Sequence, residues 1–133
     1  MTDPGVTEVE LKLAVHGAFS LPDLTDDASV AEVRQDAPQD LWASYWDTLD
    51  LRLARHGVTL RRRSGEPGGP RWTLKLPLPE QGTDGDRQLL ARRDLDFDGD
   101  ADRIPEHAVD LVTAYARTAP LAEIAELRTR RRR

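Results

Sequence analysis

Hydrophobic and polar residues alternate along much of the chain, and this alternation predicts β-strands. A period of two places successive side chains on opposite faces of a strand, so that one face packs on a core and the other stays polar. Short polar stretches separate these segments, which favours antiparallel pairing of neighbouring strands. The predicted strands are Val6–Leu13, Val30–Arg34, Asp40–Thr48, Val58–Arg63, Trp72–Leu76, Leu89–Phe97 and Glu123–Arg130.

Turn residues and helical apolar stripes predict the remaining elements. Ser64–Pro70 is rich in glycine and proline and predicts a hairpin connection, and Pro77–Arg87 predicts a second polar loop. The predicted helical segments are a short turn at Phe19–Leu24, a short helix at Leu49–His56 and a longer helix at Pro105–Arg117. The chain is therefore predicted to have an α+β fold, dominated by an antiparallel β-sheet with flanking helices.

The polar faces of the predicted strands carry mainly charged residues. Alternation places Glu8, Glu10 and Lys12 on one face of the first strand. It places Arg61 and Arg63 together on one face of a later strand. Two interpretations fit this pattern, a solvated outer face and an enclosed polar site. The segregation of the charges favours the polar site.

The chemistry of these residue types suits a metal and a polyanion. Two carboxylates at i and i+2 of a strand point the same way, about 7 Å apart. They could together hold a hard divalent cation such as Mg²⁺, which binds carboxylates, water and phosphate oxygens. Arginine and lysine side chains around them could neutralise a polyphosphate, with arginine binding its oxygens bidentately.

Composition excludes several other classes of function. The chain has 133 residues, enough for one domain, with 19 basic and 24 acidic residues and a net charge of −5. This balance argues against nucleic-acid binding. The absence of cysteine excludes disulfides, thiolate metal sites and thiol catalysis. No apolar run is long enough to span a membrane and no signal peptide is evident, so we expect a cytoplasmic protein with no membrane partner.

Short motifs in a consistent order resemble those of one family. Glu8–Lys12 resembles the ExExK motif that opens CYTH domains, the triphosphate tunnel metalloenzymes. Further similarities follow along the chain, at Tyr45–Leu53, Leu60–Arg63, Trp72–Pro77, Arg92–Asp94 and Ala125–Arg130. Trp46 stands where the family has a tyrosine, and Asp94 stands where it has a glutamate. The resemblance spans Thr7 to Arg130.

The resemblance implies a β-barrel tunnel that binds triphosphate-containing substrates and hydrolyses a phosphoanhydride with Mg²⁺ or Mn²⁺. It implies that Glu8 and Glu10 bind the metal, with Asp94 near the metal or orienting a cation. It also implies that cationic residues bind the substrate phosphates: Lys12, Arg61, Arg63, Lys75, Arg92, Arg128 and Arg130. For Asp47, it favours a structural role in the turn into the short helix over a catalytic one.

The family pattern continues beyond the end of this chain with strands that close the tunnel and with a late acidic pair. The resemblance therefore predicts a single CYTH-like domain over residues 1–133 with an incomplete tunnel, either truncated at its C-terminus or a naturally short form. An open sheet leaves edges that favour pairing, so sharing of strands in a homodimer would restore closure.

The function predicted from these observations is metal-dependent hydrolysis of inorganic triphosphate, polyphosphate or an organic triphosphate. Phosphoryl transfer needs mainly positioning and charge stabilisation, so the absence of a protein nucleophile does not count against it. Two alternatives remain open at this stage. One is a non-catalytic module that binds triphosphate or polyphosphate, and the other is an adenylate cyclase of the same family.

Overall fold

An antiparallel sheet with two helices on one face makes up most of the computed structural model. The structure describes residues 6–11, 13–78, 83–84 and 87–132, with side chains at all of these except 10, 11, 83, 84 and 87–91. The elements in chain order are β1 (Val6–Leu11), β2 (Gln39–Asp47), α1 (Arg52–Arg55), β3 (Thr59–Ser64), β4 (Arg71–Pro77), β5 (Thr83–Asp84), β6 (Arg87–Phe97), α2 (Glu106–Ala116) and β7 (Ala122–Arg131).

The strands pair in the order β1-β6-β4-β3-β2-β7, and the two-residue strand β5 pairs with the start of β6. Every pairing is antiparallel. Strands β1 and β7 form the two edges, so within the described ranges the sheet is not closed into a barrel. The predicted α+β class and antiparallel sheet are confirmed, whereas closure into a tunnel is not seen in this part of the chain.

The hydrophobic core lies between the sheet and the helices. Leu60, Leu74 and Leu95 lie opposite one another on β3, β4 and β6, and all three are buried. Trp72, with no exposed surface, packs beside them and donates a hydrogen bond from its Nε1 to the Asp100 backbone oxygen. The helices complete this core with Leu53, Ala108, Val112 and Ala116. Neither helix in the described ranges has the length and apolar character needed to cross a membrane.

Asp47 fixes the start of α1. Its carboxylate accepts hydrogen bonds from the backbone N–H groups of Thr48, Leu53 and Ala54, at 2.6, 2.9 and 2.9 Å. A helix leaves its first N–H groups without partners, and an acidic side chain at that end satisfies them and complements the helix dipole. The structural role predicted for Asp47 is confirmed. The helix begins later than predicted because Leu51 adopts a left-handed conformation, with φ of 56°.

Two predicted elements are wrong. Phe19–Leu24 is not helical, and Pro22 explains this because proline disfavours the helical conformation of the preceding residue. Val30–Arg34 forms no strand, since it pairs with none of the sheet strands and its residues lie largely exposed. A short alternating segment without a partner strand has nothing to stabilise an extended ladder.

Candidate functional site

The strand registers place the charged residues on the sheet face opposite the helices. Because Leu60 and Leu74 face the helices, the next residues along their strands, Arg61 and Lys75, face the other way. We call this side of the sheet the polar face. Its described charged side chains on the strands are Glu8 on β1, Arg61 and Arg63 on β3, Arg71 and Lys75 on β4, Arg92, Asp94 and Asp96 on β6, and Arg131 on β7.

Lys75 lies at the centre of an acidic pair on the polar face. Its Nζ donates hydrogen bonds to Asp94 Oδ2, at 2.7 Å, and to Glu8 Oε2. The Lys75 side chain is only 13% exposed, whereas that of Glu8 is 44% exposed. The hydrogen bond and positive charge of Lys75 lower the pKa of Glu8, with smaller contributions from Asp94 and from the charge of Arg61. The two carboxylates and Lys75 therefore form one ionic cluster, and the charge of Arg61 also interacts with it.

Arg61 and Asp94 each carry a polar atom with no hydrogen-bond partner among the described residues. Arg61 Nε and Asp94 Oδ1 are buried and unpaired there, and so are Gln39 Oε1 and, on the helix side of β3, Arg62 Nε. A buried donor or acceptor without a partner costs about 1–3 kcal/mol, so such atoms mark places where a ligand, ion or water is accommodated. A phosphate oxygen suits the Arg61 donor, and a hard cation suits the Asp94 oxygen.

The predicted metal ligands fit a divalent cation in chemical type. Glu8 and Asp94 offer carboxylate oxygens on the same face, and Asp94 Oδ1 is an acceptor with no donor among the described residues. Glu10 lies two residues beyond Glu8 on β1, opposite Leu90, with only its backbone described. Among the described side chains, no three His, Cys, Asp or Glu residues are grouped closely enough to hold a metal ion. Lys12, a predicted phosphate ligand, lies outside the described residues.

The other predicted phosphate ligands fall into two sets. Arg63 follows Arg61 on the polar face, and Arg92 lies opposite Glu8 in the β1–β6 register. Arg128 and Arg130, in contrast, lie on the helix side of β7. Arg128 stacks over the ring of Trp42 at 5.0 Å, and Arg130 lies 4.0 Å from a carboxylate oxygen of Asp40. The structure does not bring these two arginines together with Arg61 and Lys75.

Two residues that were not predicted complete one end of the polar face. Glu66, in the β3–β4 hairpin, receives a bidentate pair of hydrogen bonds from Arg63, at 2.7 and 3.0 Å. Arg131 lies 3.4 Å from the same carboxylate. The cavity beside them has a volume of about 190 Å³ and is lined by Leu41, Ala43, Tyr45, Arg61, Arg63, Leu127, Thr129 and Arg131.

The sequence contained a weak signal for Arg131 and none for Glu66. Alternation along β7 separates Arg131 from Arg128 and Arg130, but by itself it does not show which set faces the polar side. Glu66 falls in a turn, where the strand pattern makes no prediction about side-chain direction.

Comparison with known proteins connects this arrangement with one family. A sequence profile of the CYTH domain matches residues 7–133. Two proteins of Mycobacterium tuberculosis, one from strain CDC 1551 and one from strain H37Rv, are each 36% identical to the chain over 124 residues, and both are named only as uncharacterized proteins. These 124 residues make up 93% of this chain and 23% of either relative, so the chain spans about a quarter of their length.

Proposed function

The chain belongs to the CYTH domain family, and we propose that its polar face binds a triphosphate or polyphosphate and hydrolyses it with a divalent metal. The family includes triphosphatases and cyclases, and its enzymes typically depend on a divalent metal. The observation that carries the proposal is the cluster of Lys75, Glu8 and Asp94 beside Arg61, whose buried Nε has no partner in the part of the chain that the structure describes. Because the relatives are about four times longer, the activity of a whole protein is part of this proposal.

The cations of the polar face would bind and orient the phosphate chain. Arg61 offers its unpaired Nε to a non-bridging oxygen, and Lys75 offers a point charge one strand away. Fixed positive charges of this kind stabilise the charge that develops on the oxygens during phosphoryl transfer. Glu8, Glu10 and Asp94 would hold the metal. When bound, Mg²⁺ or Mn²⁺ neutralises phosphate charge and activates water for attack.

Triphosphate binding can be tested by calorimetric titration with inorganic triphosphate, with and without Mg²⁺, together with a phosphate-release assay. Arg61→Ala should weaken binding by about tenfold, the loss expected for one charge-assisted contact. Arg62→Ala is the matched control, since Arg62 is the next residue on β3 and lies opposite Trp72 on the helix side. The Nε of Arg62 is also buried without a partner among the described residues, so the two substitutions differ in the face of the sheet that they change. Equal effects of the two substitutions would contradict the assignment of the polar face. Absence of triphosphate binding in the folded wild type would overturn the proposed function itself.

A second candidate function is binding of triphosphate or polyphosphate without hydrolysis. The contact of Lys75 with both carboxylates favours it, because an ammonium group already neutralises the charges that would attract a metal. Binding that is independent of Mg²⁺, with no phosphate release, would support this candidate. Binding with metal-dependent release would support the hydrolase.

A further inference from the structure

Glu66 divides the polar face into an open part and a paired part. In the open part, Arg61 makes no ion pair and its Nε has no hydrogen-bond partner among the described residues. In the paired part, Glu66 pairs with Arg63 and with Arg131. The side chains of Arg63 and Glu66 are only 16% and 18% exposed, so this pair is well shielded from water.

The Glu66 carboxylate occupies the position that a phosphate oxygen pair would take on Arg63. Both of its oxygens accept hydrogen bonds from the Arg63 guanidinium, one from Nε and one from Nη2. Arginine binds phosphate through the same two-point geometry. Arg131 approaches the same carboxylate from β7, an edge strand of the sheet, so one carboxylate pairs with two cations from different strands and the group keeps a net positive charge.

The hairpin holds Glu66 in this position. The preceding residue, Gly65, has φ of +95° and packs so closely on β2 that a Cβ atom there would lie 2.1 Å from the Asp40 backbone oxygen. The N–H of Gly69 donates a hydrogen bond to the backbone carbonyl oxygen of Glu66 across the turn, at 3.3 Å. Backbone contacts on both sides therefore anchor the turn that carries the carboxylate.

The spacing of the cations relates Glu66 to the length of a bound phosphate chain. Arg63 lies two residues beyond Arg61 on the same face of β3, a separation of about 7 Å. Because one phosphoanhydride unit is shorter than this separation, a phosphate chain that begins at Lys75 and passes Arg61 would reach Arg63 only with more than one additional unit. Arg63 is already occupied by Glu66 at that point, and the carboxylate would repel the incoming phosphate.

We propose that Glu66 determines substrate length, by blocking the Arg63 end of the polar face so that the site accepts triphosphate and discriminates against longer linear polyphosphates. This inference rests on the proposed binding of phosphate chains to the polar face. It assigns to Glu66 a role in specificity and none in the chemical step.

The test is a titration of the 133-residue chain with inorganic triphosphate, tetraphosphate and longer linear polyphosphates. Three proteins are compared: wild type, Glu66→Gln and the control Glu106→Gln. Glu106 also pairs with an arginine three residues earlier, Arg103, but that pair is highly exposed and lies at the start of α2. Both substitutions remove one negative charge, so a general electrostatic effect on anion binding would appear in both.

We expect Glu66→Gln to bind long linear polyphosphates at least about tenfold more tightly than wild type. The change should be below about threefold for triphosphate and for tetraphosphate, which is too short to extend from Lys75 past Arg61 to Arg63. Glu106→Gln should bind every chain length as wild type does. An equal gain at all lengths, or no gain with the long chains, would overturn the inference. Melting temperatures measured on the same samples identify any loss of folding, and Glu66→Ala, which cannot pair with Arg63, should reproduce the length effect.

Failure of the inference differs from failure of the proposed function. Wild type that binds triphosphate, with a Glu66→Gln variant of unchanged length preference, would leave the function standing and overturn the role of Glu66. Wild type that binds no phosphate chain would overturn the proposed function. In that case, long-chain binding gained only in Glu66→Gln would still support the blocking role, and no gain would overturn it.

Discussion

Substitution of Asp47 provides the sharpest test of how the fold is held around α1. Asp47 is 3% exposed, and its carboxylate accepts backbone hydrogen bonds from Thr48, Leu53 and Ala54. Asp47→Ala would leave the buried N–H of Leu53 without a partner, at a cost of about 1–3 kcal/mol. Loss of the cap at Ala54, whose N–H is closer to solvent, adds about 1 kcal/mol. The expected loss is therefore about 3 kcal/mol of unfolding free energy.

Urea denaturation followed by circular dichroism measures this loss directly. A loss of about 3 kcal/mol corresponds to a fall in Tm of roughly 10 °C for a domain of this size. Asp47→Asn should lie between wild type and alanine. If the amide oxygen of the substituted asparagine takes the position of Oδ1, it can still accept hydrogen bonds from the N–H groups of Thr48 and Leu53. The amide NH₂ group would then face the N–H of Ala54, and two donors form no hydrogen bond.

Asp50→Ala is the matched control for the loss of an acidic residue near the same helix. The Asp50 side chain is 52% exposed and pairs with Arg52 and Arg55 at the surface. Exposed pairs of this kind contribute little to stability, because water screens the two charges. If Asp47→Ala were no less stable than Asp50→Ala but failed to bind triphosphate, the structural role of Asp47 would be refuted in favour of a role in binding.

Two further predictions concern the hairpin and the ionic cluster. Gly65→Ala should cost at least about 2 kcal/mol more unfolding free energy than Gly69→Ala in denaturant titrations. Both glycines have positive φ, but only at Gly65 would the new Cβ collide with backbone atoms of a neighbouring strand. Equal costs would contradict the close packing of Gly65. Lys75 lowers the pKa of Glu8 below its usual value of 4.5, so their interaction stabilises the fold above pH 4.5 and is lost as the pH falls through the lowered value. The difference in unfolding free energy between wild type and Glu8→Gln, which leaves the Lys75–Asp94 pair in place, should be about 1 kcal/mol because 44% of the Glu8 side chain is exposed. This difference should be greatest near neutral pH and shrink in acid; a difference that does not vary with pH would rule out the ion pair.

Local patterns were sufficient to predict most of the strands. Strand β3 shows why, since Leu60 and Arg61 differ so strongly in polarity that their opposite directions follow from the period of two. The same pattern misled at Val30–Arg34, where alternation occurs without a neighbouring strand to pair with. Strand formation depends on a partner strand as well as on the segment itself, and a local sequence pattern contains no information about the partner strand.

The sequence by itself determined which residues can share a face, the antiparallel class of the sheet and the family to which the chain belongs. These features depend on the order of short motifs and on strand geometry, in which successive side chains point to opposite faces. Together they placed Glu8, Arg61 and Lys75 in one predicted site. The contact of Lys75 with both Glu8 and Asp94 needed the pairing registers of three strands.

Only the tertiary structure decided which arginines of β7 face the site. The register against β2 places Arg128 opposite Trp42 on the helix side, whereas Arg131 reaches Glu66 on the polar side. A shift of one residue exchanges the two faces of a strand, and a β-bulge between Tyr45 and Trp46 changes the register within this pair. The charge available to a ligand is therefore set by strand pairing and by one hairpin carboxylate, neither of which a period of two specifies.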